Sequence, residues 1–579
     1  MKYPTLYTKE NSRKMVDVFK GYNCNLRIGE GEFFDMKNMT SDYFPVLSPR
    51  NRRGFYASPN SPTGLISKDS LCYVDGTKFV INEYPVDMGL NDEPKQLISM
   101  GAYVIIMPDK MWINTLDTTE FGNIEASYTS TSDVTFTLCT VDGADYENMT
   151  VSAEEPNDPE NMALWIDTSS TPHALKQYSS TSSMWVQIAT TYVKVSCPGI
   201  GKAFNQYDGV TISGIKDEDL QDLNASMVIW AKGDDYIVVV GILDQVTNQT
   251  EDEGVIKVER RMPSMDFVIE SENRLWGCRY GVASNGEVVN EIYASKLGDF
   301  KNWNCFMGLA TDSYAASCGT DGQFTGAITH MGYPLFFKEN CVHKVYGNYP
   351  ANFQIQTTAC RGVQKGCHKS LAIVNEVLYY KARSGICAYD GSLPTEASYA
   401  LGNEAYSDAV GGAHGNKYYV SMKDAAGEWH LFLYDTAKSM WHKEDNFHAD
   451  AFCSCRNDLY AISDGKIIAM LGSGDAYEGN IEWMVQTGEI GISSPDMKYI
   501  SRLTVRMAMD IGSEVRFYAQ YDFCEEWETL FTLRSNNLRS FSLPIRPKRC
   551  DHMKLRIEGE GMAKIYSITK TIEQGSELS

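Results

Sequence analysis

Short apolar stretches punctuate this chain at intervals, and most are followed by a tight polar turn and a second apolar stretch. Leu71–Val74 turns at Asp75-Gly76 into Lys78–Ile81, and Tyr103–Met107 turns at Pro108–Lys110 into Met111–Ile113. Leu335–Phe337 turns at Lys338–Asn340 into Cys341–Tyr346, and Leu378–Tyr380 turns into Gly385–Tyr389. Leu459–Ile462 turns at Asp464-Gly465 into Lys466–Met470. A longer version leaves Leu275-Trp276, turns near Asn285-Gly286 and returns at Ile292–Ser295. Asp-Gly and Asn-Gly suit the positive φ angles of two-residue hairpin turns. No stretch carries apolar residues at i, i+3, i+4 and i+7 over three turns, so the pattern predicts an all-β chain.

The hairpins recur. Leu335, Leu378, Tyr418 and Leu459 open successive apolar strands 43, 40 and 41 residues apart. That period is the length of a four-stranded propeller blade, which cannot cover both its faces alone and therefore stacks on its neighbours. The fold expected is a β-propeller, with stacked sandwiches as the competing all-β arrangement. Its first blades lie in 1–117 and the remaining ones in 263–480.

Residues 118–262 differ in character. From Met111 to Leu175 there is no Lys or Arg, while Asp and Glu recur and Ser and Thr are abundant. Strands are still legible, as in Val134–Leu138 and Ile237–Val240. We read this as an acidic β domain inserted into a propeller loop, where long insertions cost little. From 481 to 579, Leu503, Val505, Met507 and Met509 alternate with polar positions, as do Met553, Leu555 and Ile557. This predicts a C-terminal β-sandwich with one wet face per sheet.

Composition narrows the function. The 579 residues carry 52 Lys and Arg against 75 Asp and Glu, a formal net charge of -23. That balance argues against a protein that wraps nucleic acid by neutralising phosphates; it does not exclude one that DNA passes without sticking. No apolar run is long enough to span a bilayer, and the first residues lack the apolar core of a signal peptide, so no membrane partner is expected. Fifteen Cys without CxxC spacing read as reduced thiols.

Candidate chemistry is sparse. His442, His448, Cys453 and Cys455 could supply four zinc ligands, but their spacing matches no common structural zinc pattern, and Cys-x-Cys on a strand is an ordinary core arrangement. Asp142, Asp145 and Glu147 could hold calcium but lack EF-hand spacing. Gly199-Ile-Gly201-Lys202 is too short for a phosphate cradle, and no nucleophile elbow is present. Gly319-Thr-Asp-Gly322 and Ser463-Asp-Gly465 only superficially match sialidase turns. Trp276, Trp303, Trp429 and Trp441 read as blade packing before sugar platforms. The expectation is no enzyme, no metal and no cofactor.

Three phrases carry a resemblance. They are Asn38–Arg53, Asn273–Arg279 followed by Ile292–Trp303, and Gly332–Glu339 followed by Val342–Gly347. Together they resemble tailed-bacteriophage stabilisation proteins, the propeller-bearing tail nozzle or head-completion proteins. The resemblance implies a non-enzymatic virion protein of the tail or head–tail connector, made in the host cytoplasm. It implies a homo-oligomeric ring that meets portal, adaptor or other tail proteins while packaged DNA passes by without specific binding. An acidic lumen would repel phosphates. A distal receptor- or carbohydrate-binding tail protein is the alternative, and a propeller glycosidase a third. Arg50, Arg52 and Arg53, after the Tyr-Phe-Pro anchor, are candidate subunit contacts.

Overall fold

In the computed structural model, residues 12–283, 286–493, 497–522, 524–534, 539–546 and 548–574 are described. The turn at Asn285 and the N-terminal Met1–Asn11 stretch lie outside them. The fold is all-β and of the propeller type, built from mostly antiparallel sheets joined by loops and short 3₁₀ helices. No helix among the described residues is long and apolar enough to cross a membrane. The chain divides into two compact units, one of Met1–Pro94, Phe337–Val342 and Ala359–Ser579, the other of Lys95–Phe336 and His343–Thr358.

The first unit holds four blade sheets. One runs from Pro62–Ser67 to Tyr84–Asp87, one from Ala372–Val374 to Thr395–Glu396, and one from Ser407–His414 to Met440–Lys443. The fourth pairs Ala451–Cys455, Asp458–Ser463 and Lys466–Ala469 with Gly54–Ala57, so the start of the chain completes a sheet made near its end. Asp464 and Gly465 sit at φ 49° and 73°, as a type I′ hairpin between two of these strands requires. Blades stack through apolar faces. Val410, Tyr419 and Leu433 pack on Leu459, Ala461 and Ile468, and Ile462 and Ile467 pack on Leu71.

The same unit holds the sandwich, and it is larger than the 481–579 expected. Ser12–Val16 pairs with Ala563–Gln574, which pairs with Lys498–Met509 and so with Arg539–Leu543. The facing sheet contains Glu32–Lys37, Glu482–Thr487, Met553–Glu560, Glu514–Tyr521 and Glu528–Leu533. Gly21–Tyr22 joins this sheet to the blade strand Met440–Lys443, so blade and sandwich share one continuous hydrogen-bonded ladder. Residues 12–40 therefore serve the sandwich as well as preceding the first blade.

The second unit holds two further four-stranded sheets and most of a third. They begin at Gln96–Met100, Phe267–Ser271 and Gly326–His330. Ile98 and Ile105 pack on Val268 and Leu275, and Trp276 and Ile292 pack on Phe336. Between the first two lies the inserted domain, whose opening strand Ala126–Thr129 pairs with its closing strand Lys257–Arg260. An insertion into a surface loop must leave beside where it entered, and this pairing does that. Its three sheets enclose their own core around Phe136, Ile166, Val195, Phe204 and Ile237.

Candidate functional site

Arg50, Arg52 and Arg53 lie on a stretch pinned at both ends. Ser48–Pro49 pairs with Met39–Thr40, and Gly54–Ala57 enters the fourth blade sheet. Gly54 is required by close approach, because a Cβ there would stand 1.9 Å from the Ser473 carbonyl oxygen. The tether turns Arg50 and Arg53 inward, leaving 6% and 3% of their surfaces exposed.

Both guanidiniums, expected as candidate subunit contacts, spend their charge on carboxylates of their own chain. Arg50 donates through Nη1 and Nη2 to the two carboxylate oxygens of Glu478, at 2.7 and 2.9 Å, and through Nε to Asn38 at 3.0 Å. Arg53 donates through Nη1 and Nη2 to the Asp445 oxygens and through Nη2 to Glu444 Oε2, all at 2.8 Å. Its guanidinium carbon lies 4.4 Å above the centre of the Phe447 ring. The Arg53 backbone N–H also donates to Glu478, at 2.8 Å. Arg52 alone is exposed, donating to Asn480 Oδ1 at 2.6 Å.

Two guanidiniums thus face three carboxylates, leaving one negative charge in excess. Burial alone would raise the Asp445 carboxyl, but Arg53 and Arg50 outweigh it and hold it below the usual carboxylate range. Glu478 behaves alike, with Arg50 and then Arg53 overcoming its burial. A proton donor for glycoside cleavage needs the opposite shift. The network borders a cleft of about 700 Å³ rimmed by Asp35, Lys37, Lys443, Asn480 and Glu482. Lys37 reaches Glu482 at 3.4 Å and Lys443 reaches Asp35 at 3.6 Å, so the rim is paired as well. Chemically, this arrangement fastens the N-terminal segment to the blades. Its carboxylates carry no motif; the only hint in the sequence is the charged run Lys443-Glu444-Asp445 following a strand.

The remaining sequence candidates are separated. Cys453 and Cys455 lie on one strand, and burial pushes the Cys453 thiol up to about 12. His442 is buried on another strand, and burial pushes it down to about 3, leaving a neutral ring. His448 stacks on Trp429 with ring centres 4.0 Å apart. Asp145 pairs with Lys194 at 2.5 Å. Among the described residues no group of three or more His, Cys, Asp or Glu side chains is placed to hold a metal ion. Gly201 is a packing glycine, since a Cβ would meet the Gly233 carbonyl at 1.8 Å. Trp276, Trp303 and Trp441 are buried.

The phrase residues turn out to be structural. Arg274, buried, donates to the carbonyls of Ser295, Ala310 and Asp312 at 2.8, 2.8 and 2.5 Å and so ties the 296–312 loop to its blade. Trp303 Nε1 donates to the Phe300 carbonyl at 3.0 Å. Asn302 donates to Asp208 of the inserted domain at 2.9 Å, and Asp208 pairs with Arg260 at 2.5 Å.

Compared with known proteins, the chain matches no family model and no curated protein. Among solved structures it is similar to PorZ, a surface component of the type-IX secretion system of Porphyromonas gingivalis. That match has 10% identity and a TM-score of 0.23, covering 89% of this chain and 82% of the other. It is also similar to an exo-β-1,3-galactanase from Phanerochaete chrysosporium, at 8% identity and a TM-score of 0.21, covering 52% and 94%. A family 43 arabinoxylan arabinofuranohydrolase from Bacillus subtilis follows at 8% and 0.15, covering 54% and 95%. At such scores the likeness assigns neither a family nor a chemistry.

Proposed function

We propose that this chain is a structural virion protein of a tailed bacteriophage, a tail nozzle or head–tail connector component that shapes or seals the DNA exit channel. The observation that carries this reading is where the phage-like phrases fall. Asn273–Arg279 and Ile292–Trp303 supply Arg274, Asn302 and Trp303, which fix a blade loop and dock the inserted domain. A resemblance of that kind concerns a scaffold and asks for no catalytic residue. The net charge of -23 is in keeping with DNA that passes without adhering. The partners are a portal or adaptor, other tail proteins and further copies of the chain in a ring, and the site of action is the virion after assembly in the host cytoplasm.

Electron microscopy of particles carrying a tagged copy tests the reading directly, with density expected between the portal and the tail tip. Particles made without the protein should fail to attach tail parts or should lose packaged DNA. Full, intact particles that cannot adsorb to cells would instead assign it to receptor binding.

A further inference from the structure

The strongly acidic chain contains one face of the opposite sign. Between Lys498 and Lys570 there are thirteen Lys and Arg against nine Asp and Glu. The excess gathers on the outer side of the sandwich sheet formed by Ser12–Val16, Ala563–Gln574, Lys498–Met509 and Arg539–Leu543, with Arg549–Cys550 beside it. Alternation along Lys498–Met509 sends Leu503, Val505 and Met507 into the sandwich and Arg502 and Arg506 out to solvent. Register extends the row. Arg13 and Arg502 both lie opposite Thr571, and Arg549 lies opposite Tyr499, on the same outer side.

All four arginines are exposed, and none forms an ion pair with another described residue. The positions between them carry hydroxyls, Thr504 opposite Thr569 and Ser542, with Arg502 Nη2 3.2 Å from Ser542 Oγ. Among the described residues of these strands, the one carboxylate on this side is Glu573, at the end of the sheet opposite Tyr499. Arg50 and Arg53, by contrast, are consumed by carboxylates of their own chain. This sheet face thus presents four exposed guanidiniums that form no ion pair among the described residues.

The complement is on the same chain. Glu154, Glu155, Asp158 and Glu160 fall within seven residues of the inserted domain, all exposed and none ion-paired among the described residues. No Lys or Arg lies between Met111 and Leu175 to offset them.

We propose that the arginine face of one copy receives the 154–160 acidic loop of a second copy. The contact joins two different patches, so it is head-to-tail, and it closes into a ring wherever the rotation between copies allows. Charge complementarity of this kind sets partner orientation and speeds encounter. The proposal rests on the ring reading above and names the surfaces that build the ring.

The test is charge reversal on the full chain, followed by light scattering during size exclusion. Wild type should self-associate at low ionic strength and loosen as salt rises, because the charges are exposed. Arg502→Glu/Arg506→Glu and, separately, Glu154→Arg/Glu155→Arg should each weaken association at least tenfold. The chain carrying all four substitutions should recover it, since the two patches have exchanged sign. All are surface changes, and unaltered circular dichroism and melting keep folding out of the readout.

A chain that stays monomeric at every concentration and salt would overturn the ring reading together with this contact. Assembly that survives both reversals, or that the fourfold variant fails to recover, would overturn the contact and leave the ring. Salt-sensitive binding of duplex DNA lost only in Arg502→Glu/Arg506→Glu, with association unchanged, would assign the face to nucleic acid and overturn the proposal.

Discussion

A buried guanidinium stabilises a fold only while each charge around it keeps its partner. Arg53 touches Asp445 and Glu444 at once, so Arg53→Met leaves two carboxylates in a confined space with only the longer contacts to Arg50, at 3.3 and 3.4 Å. The expected loss is about 3–5 kcal/mol, the usual result of removing one member of a buried pair. Denaturant unfolding monitored by tryptophan fluorescence reads it. The same group sets an acid limit. Asp445 and Glu478 have folded-state values below their unfolded values of about 3.9 and 4.3. Their contribution is therefore complete above those values and disappears as the pH falls through the lower folded-state ones. Unfolding midpoints should drop below about pH 4 in the wild type and drop less in Arg53→Met. Apolar residues answer to packing instead. Leu378 is fully buried, and Leu378→Ala should cost about 2–5 kcal/mol in the same measurement. A cost under about 1 kcal/mol would mean that the blade repeat places it wrongly.

Among elements, Gly54–Ala57 has an exacting role, because it reaches its sheet only if nothing stands between Gly54 and Ser473. Gly54→Val should detach the strand and open the 48–57 stretch to limited trypsin digestion at Arg50, Arg52 and Arg53, whereas the wild type should resist cleavage at the two buried arginines. How far the sequence foretold such elements depends on what local patterning encodes. Leu71–Val74 and Lys78–Ile81 were legible as a hairpin because both strands and their Asp75-Gly76 turn lie within eleven residues. Leu335, Leu378 and Leu459 are buried as the 40-residue repeat requires. Period-two alternation identifies a strand but not its neighbour. It could not reveal that Gly54–Ala57 pairs with Lys466–Ala469, or that Ser12–Val16 pairs with Ala563–Gln574. The arginine site was half legible for the same reason. Arg50 and Arg53 stand out in sequence, whereas Glu444, Asp445 and Glu478 become their partners only after blade and sandwich have formed.

At the scale of the whole molecule, the inserted domain has its own core and adjacent ends, which predicts a separable folding unit. A fragment of residues 124–262 should unfold cooperatively alone, as calorimetry would register, and a fragment without a transition would tie its stability to the neighbouring blades. The overall charge of -23 predicts that the isolated chain binds duplex DNA more weakly than roughly 10⁻⁴ M at physiological salt, the weak edge of ordinary non-specific binding. Filter retention or anisotropy checks this, and tight binding would contradict passive passage. The borrowed strand of the fourth blade sheet also imposes a timetable on synthesis. Ala57 leaves the ribosome about 410 residues before its partner Ile467. At roughly 5–20 residues per second, that is a wait of about 20–80 s. For that interval the nascent chain holds an unpaired strand edge and an incomplete apolar sheet, both prone to aggregation, so chaperone supply during translation should govern how much protein reaches its folded form.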